Sequence, residues 1–68
     1  MENFDYLKKT LKRLEAEIKG IQGAKNPQEI SEHERMALPL LTEVQMAAPR
    51  LGEDIHRASQ NRRKELQG

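Results

Sequence analysis

The apolar residues in the first third of the chain recur at alternating intervals of three and four residues. The series is Phe4, Leu7, Leu11, Leu14, Ile18 and Ile21. This spacing is an a/d heptad pattern, which places all six side chains on one stripe of an α-helix. Asn3 is a candidate N-cap, and Gly20 or Gly23 is a candidate stop in the left-handed conformation. The sequence therefore predicts a first helix over about residues 3–22.

A second helix is predicted to begin shortly afterwards. Asn26 is followed by Pro27, and Glu29 lies three residues beyond Asn26. Asparagine is a good N-cap, proline suits the first helical position, and a glutamate at this spacing reaches back to the cap. We therefore expect a short loop over about residues 23–27. Because short connections join antiparallel neighbours, the two helices should form a hairpin.

The second apolar series keeps its phase through two prolines. Its members are Ala37, Leu41, Val44, Ala48, Leu51, Ile55 and Ala58, with Pro39 and Pro49 at outer positions. Proline inside a helix removes one hydrogen bond and crowds the carbonyl four residues back, at a cost of about 3 kcal/mol. An outward-facing proline bends a helix around its partner. The series therefore predicts one long, proline-bent helix over about residues 28–66.

A break at the prolines is the alternative. Each proline would then start a new helix, and a break near residues 48–52 would give a three-helix bundle. Leu38 and Ala48 would have to serve as N-caps, for which both residue types are poor. We therefore predict an all-α antiparallel hairpin whose core is made of Phe4, Leu7, Leu11, Leu14, Ile18, Leu41, Val44, Ala48, Leu51 and Ile55.

The small size of the chain indicates self-association. With 68 residues it forms a single domain, residues 1–68, and it contains no cysteine for disulfides or thiolate metal sites. A domain of this size buries only about 60% of its unfolded surface, so a monomeric core is marginal. Small scaffolds without disulfides or metals commonly gain stability from a second subunit. We therefore predict a dimeric helical bundle.

The centre of the second helix carries apolar side chains outside the heptad series. These are Met36, Leu38, Leu40 and Met46. Methionine adapts to varied partners and recurs on binding surfaces. We predict that these four residues bind a partner protein, although the same pattern fits a core or dimer interface. The favoured function is a non-enzymatic protein-interaction module, such as a small adaptor, assembly chaperone or inhibitor.

The basic C-terminal segment supports a different hypothesis. It carries Arg57, Arg62, Arg63 and Lys64, with Gln60 and Asn61 among them. These residue types contact phosphates and base edges in the major groove. Cations near a helix C-terminus are also favoured by the helix dipole, and the net charge of the chain is only +1. A nucleic-acid-binding regulator is therefore the alternative function.

Catalytic and membrane functions are disfavoured by the sequence. Glu53 and His56 have the Glu-x-x-His spacing of di-iron bundles, but such sites need that motif twice. Glu29 and His33 lie one turn apart near a helix start, where carboxylates favour the helix dipole anyway. No apolar run approaches the roughly 20 residues of a membrane span. We therefore expect no catalytic activity, cofactor, metal or membrane partner, and a cytoplasmic location.

Overall fold

The structure is a computed structural model that describes residues 2–68 and is all-α. Helix α1 spans Glu2–Gln22 and helix α2 spans Pro27–Ala47. A 3₁₀ turn at Ala48–Arg50 joins α2 to helix α3, which spans Leu51–Gln67. Helix α1 packs along α2 and also reaches the start of α3. The predicted antiparallel helical hairpin is confirmed.

The start of α2 has the predicted capping residues. The Asn26 side chain accepts a hydrogen bond from the Glu29 backbone N–H at 2.9 Å, and Pro27 is the first residue of the helix. Glu29 reaches back and accepts from the Lys25 backbone N–H, also at 2.9 Å. These bonds use donors that would otherwise lack intrahelical partners. Asn26 is therefore confirmed as the N-cap.

Neither proline folds the chain back on itself. Pro39 lies inside α2, and Pro49 lies within the 3₁₀ turn, where the backbone stays right-handed helical. We refer to residues 27–67 as the second arm. A straight helix of this length would extend about 60 Å, and the longest dimension of the molecule is 61 Å. The second arm is therefore one nearly straight rod, and any bend at the prolines is gentle.

The ends of α1 differ from the prediction. Asn3 does not cap the helix, because α1 already begins at Glu2 and the Asn3 amide donates to the Arg50 carbonyl and to Asp54. Among residues 2–68, only Gly68 has a left-handed backbone. The prediction that Gly20 or Gly23 ends α1 in that conformation is therefore wrong, and Gly20 lies inside the helix.

Only four of the ten predicted core positions face the other arm. Leu7, Leu14, Val44 and Leu51 are buried or half-buried, as expected for core residues. The other six predicted core positions are exposed in the single chain and do not form the core between its two arms: Phe4, Leu11, Ile18, Leu41, Ala48 and Ile55. Thr10, Ala47 and Asp54 are buried in their place.

One physical cause accounts for this difference. A hairpin gives each helix only one neighbour, so each helix buries a stripe narrower than its apolar face. Each helix can therefore be rotated about its own axis and still bury apolar residues, and in the structure this rotation places Ala47 and Thr10 between the arms. The inward series Leu40, Val44, Ala47, Leu51 and Asp54 keeps intervals of 4, 3, 4 and 3 through the 3₁₀ turn. Asp54 therefore faces α1, and Ile55 is exposed for the same reason as Leu41 and Ala48.

The molecule is one helix layer thick. Its principal dimensions are 61 × 18 × 11 Å, and its radius of gyration is 17.4 Å. A compact chain of this length would have a radius of gyration of about 11 Å. Most domains instead pack at least two layers of secondary structure around a core. The hairpin therefore has two broad faces, and both are open to solvent.

Candidate interaction surfaces

The exposed heptad residues of both arms lie on one side of the hairpin. Phe4 and Ile55 line the same shallow hollow, together with Leu51 and Asp54. Residues seven apart share a helix face, so Leu11 and Ile18 continue the series from Phe4, and Leu41 belongs with Ile55. We call this surface the heptad face: Phe4, Leu11, Ile18, Leu41 and Ile55. Their exposed fractions range from 43% to 66%.

The opposite side of the hairpin carries the methionines. Met36, Pro39 and Leu40 line an open groove of about 390 Å³ against Arg13, Ala16 and Glu17 of α1. Met46 lines the neighbouring hollow with Tyr6, Glu43, Ala47 and Arg50. We call this surface the methionine face: Met36, Pro39, Leu40 and Met46. Met36 and Met46 are 62% and 63% exposed, whereas Leu40 is half-buried.

Leu38 does not share the methionine groove. Two residues along an α-helix correspond to a rotation of about 200°. Leu38 therefore points away from Met36 and Leu40, and it is exposed. The structure thus brings together Met36 and Leu40, places Met46 nearby, and separates Leu38 from them.

Two hydrogen bonds cross between the arms on the methionine side. The Tyr6 hydroxyl donates to Glu43 at 3.2 Å, and Nδ1 of His33 lies 2.9 Å from Oε2 of Glu17. The His33 ring also packs closely against α1. A Cβ atom placed on Gly20 would clash with Cε1 of that ring. Glycine at this position therefore allows the histidine to sit against the helix backbone.

A buried carboxylate joins α3 to the start of α1. Asp54 is only 4% exposed, and its Oδ2 accepts from the Phe4 backbone N–H at 2.9 Å. Its Oδ1 accepts from the Asn3 amide at 3.0 Å. The first N–H groups of a helix lack intrahelical partners and carry partial positive charge. Asp54 therefore caps α1 from a residue 50 positions away, a role that the sequence analysis missed.

The end of α3 continues past the start of α1. We call residues 56–67 the overhang; all of them are exposed except Ser59, which is half-buried. Arg57, Asn61 and Lys64 share one face because they lie four and three residues apart. Arg62 instead pairs with Glu65 at 3.0 Å, and Arg63 lies a further 100° around the helix. The four predicted basic residues therefore do not form a single patch.

The fold and its surfaces define an antiparallel helical hairpin with one arm extended as a charged helix. No protein-family model, characterised protein or solved structure matches this chain. Within residues 2–68, no helix is long and apolar enough to cross a membrane. The same residues contain no cluster of three or more histidine, cysteine, aspartate or glutamate side chains suited to a metal ion.

Proposed function

We propose that this chain is a non-enzymatic protein-interaction module that acts by helical packing, on itself and on a partner protein. The observation that carries the proposal is a hairpin one layer thick with apolar side chains on both broad faces. Leu7 and Ala47 are the buried hydrophobic residues between the arms. A core this small leaves the hairpin marginally stable by itself, and an added helical layer would bury more apolar surface.

The accessible surface supports this proposal quantitatively. The chain of 7.9 kDa exposes 5,810 Å². A compact monomer of this mass would expose about 4,400 Å². The excess of about 1,400 Å² exceeds the roughly 800 Å² that each partner buries in an interface of standard size. Contact with one further protein surface would therefore reduce the exposed area of the chain to that of a compact monomer.

The methionine face is the proposed site for a different protein. Flexible methionine side chains repack around partners of varied shape. The groove between Met36, Pro39 and Leu40 is apolar at its base, and Arg13 and Glu17 supply charges at its edge. These features suit an amphipathic helix laid in a groove, a recurring mode of peptide recognition.

Solution mass is the first test of the proposal. Light scattering over a wide concentration range should give a dimer near twice 7.9 kDa. The partner site is tested with the chain as bait, using Met36→Asp with Met46→Asp as the matched variant. We expect the wild-type chain to retain a protein that the variant loses. A chain that is monomeric at every concentration and retains no protein would contradict the proposal.

The overhang favours nucleic acid binding as a second candidate function. It is a solvent-exposed helix with four basic residues against one acidic residue. Labelled DNA and RNA should be titrated at two salt concentrations, because phosphate contacts make binding steeply salt-dependent. Arg57→Ala with Lys64→Ala should weaken binding more than Arg62→Ala with Arg63→Ala, since Arg62 is already paired with Glu65. Equal, salt-independent binding by all variants would exclude this candidate.

A further inference from the structure

We infer that the heptad face is where a second copy of this chain docks, so that two hairpins form a four-helix bundle. The inference rests on the proposed self-association and specifies its surface. The alternative surface is the methionine face, and two differences between the faces decide between them.

The first difference is polarity. The Tyr6–Glu43 and Glu17–His33 contacts both cross on the methionine side, where Arg13 and Arg50 also line the hollows. Covering that side would remove these charged groups from water, which is costly unless each finds a partner. The heptad face consists of five large apolar side chains, and the one charged group in its hollow, the Asp54 carboxylate, already bonds to the start of α1. Covering this face removes apolar surface from water, which is favourable.

The second difference is repetition. The heptad face repeats along the hairpin: the contacts Glu17–His33 and Tyr6–Glu43 set the arms so that Leu11 lies level with Leu41 and Phe4 with Ala48. Ile18 lies one heptad nearer the loop, and Ile55 one heptad nearer the open end, where it shares a hollow with Phe4. Within each arm, successive layers are seven residues apart, or about 10 Å along the helix. A second copy has the same spacing, so a two-fold axis that places one layer opposite a layer of the second copy also aligns the others. Such self-matching heptads are the basis of knobs-into-holes packing.

One layer provides shape complementarity as well. Phe4 lies level with Ala48, so this layer of the face pairs a large side chain with a small one. Interdigitating layers need this alternation of large and small residues. A uniformly large surface would hold the two hairpins apart. The area to be buried, about 1,400 Å² by the surface comparison above, also fits a homodimer of helical bundles.

The experiment compares two matched double variants by light scattering. Leu11→Asp with Leu41→Asp places two carboxylates on the heptad face, and Met36→Asp with Met46→Asp places two on the methionine face. Leu11 and Leu41 are 46% and 43% exposed in the single chain, against 62% and 63% for Met36 and Met46, so circular dichroism of both variants checks that the hairpin itself stays folded. We expect the heptad-face variant to dissociate at least 100-fold more readily, while the methionine-face variant remains dimeric.

A second measurement keeps the dimer intact, so its result does not depend on whether a dissociated variant stays folded. The chain has no cysteine, so Ile18→Cys and Met36→Cys each introduce a single thiol. Alkylation of the thiol in Ile18→Cys should slow at least tenfold as protein concentration rises through the dimerisation range. Alkylation in Met36→Cys should not slow.

The outcomes separate this inference from the proposed function. A dimer that survives the heptad-face change, or that is lost equally with both double variants, would overturn the inference and leave self-association standing. Concentration-dependent protection of the thiol in Met36→Cys would do the same. A wild-type chain that stays monomeric at all concentrations would remove the proposed self-association together with its surface.

Discussion

The two ends of the contact between α1 and the second arm are held together by different means. At one end, the buried Asp54 carboxylate accepts hydrogen bonds from the start of α1. At the other end, near the loop, the partly exposed His33 ring lies against Gly20 and bonds to Glu17. The first end depends on satisfying buried polar groups, and the second depends on shape. We therefore expect the Asp54 end to tolerate substitution far less well.

Replacing Asp54 should have the largest effect on stability. Asp54→Ala removes the acceptor for the Phe4 N–H and for the Asn3 amide. We expect the free energy of unfolding to fall by about 1–3 kcal/mol, because a charged acceptor at a helix start is lost and its donors stay partly buried. Urea unfolding followed by circular dichroism, at one fixed protein concentration, measures the change.

Glu53→Ala is the matched control for this substitution. Glu53 is the neighbouring carboxylate in the first turn of α3, and it is exposed. Its removal should change the free energy of unfolding by less than about 0.5 kcal/mol. If the two variants were equally stable, the hydrogen bonds of Asp54 would not be what holds this end of the hairpin.

Replacing Gly20 should change the free energy of unfolding by an intermediate amount, and the sign of the change should depend on whether His33 is present. Alanine is about 1 kcal/mol better than glycine inside a helix. In a His33→Ala background, Gly20→Ala should therefore stabilise the protein by about that amount. In the wild-type background, the new methyl group displaces the His33 ring and breaks its contact with Glu17. There we expect the gain to be cancelled or reversed.

A double-mutant cycle measures this coupling. The four proteins are compared in urea, and we expect an interaction free energy of about 1 kcal/mol between the two sites. Additive effects would show that the ring moves aside without cost. The two ends would then differ more clearly, because only substitution at the Asp54 end would lower the free energy of unfolding.

The smallest effect is expected at the exposed hydrogen bond between the arms. Tyr6→Phe removes the hydroxyl that donates to Glu43 but keeps the ring. Because both partners are exposed, the free energy of unfolding should fall by less than about 0.5 kcal/mol. A thermal or urea unfolding curve checks this. A loss as large as that of Asp54→Ala would mean that exposed and buried polar contacts contribute equally here.

The sequence predicted which residues form helices better than it predicted which side of each helix faces the other arm. The heptad series identified both helical arms, and Asn26 with Pro27 located the start of α2. The rotation of each helix was predicted wrongly because apolar residues were assumed to fill every inward position. In the structure, Thr10 and Asp54 occupy two of these positions and form hydrogen bonds there. Thr10 bonds to the Tyr6 carbonyl four residues back, and Asp54 bonds to residues about 50 positions away, so neither contributes to an apolar periodic pattern in the sequence.

The candidate surfaces were predictable only in part. Counting 100° per residue separates Leu38 from Met36 and Leu40 without any structure. The same counting separates Arg63 from Arg57. The groove beside Met36 depends on which α1 residues lie opposite, here Arg13 and Ala16. That pairing follows from the rotation of both helices, which the sequence pattern leaves undetermined.

Asp54 and the overhang belong to the same continuous helix, Leu51–Gln67. Arg57 follows Asp54 by three residues, so the hydrogen bonds of Asp54 to Asn3 and Phe4 fix the point at which the charged helix leaves the hairpin. Breaking these bonds would remove that anchor, and the direction in which the basic residues are presented would then be set by the 3₁₀ turn and α2 alone.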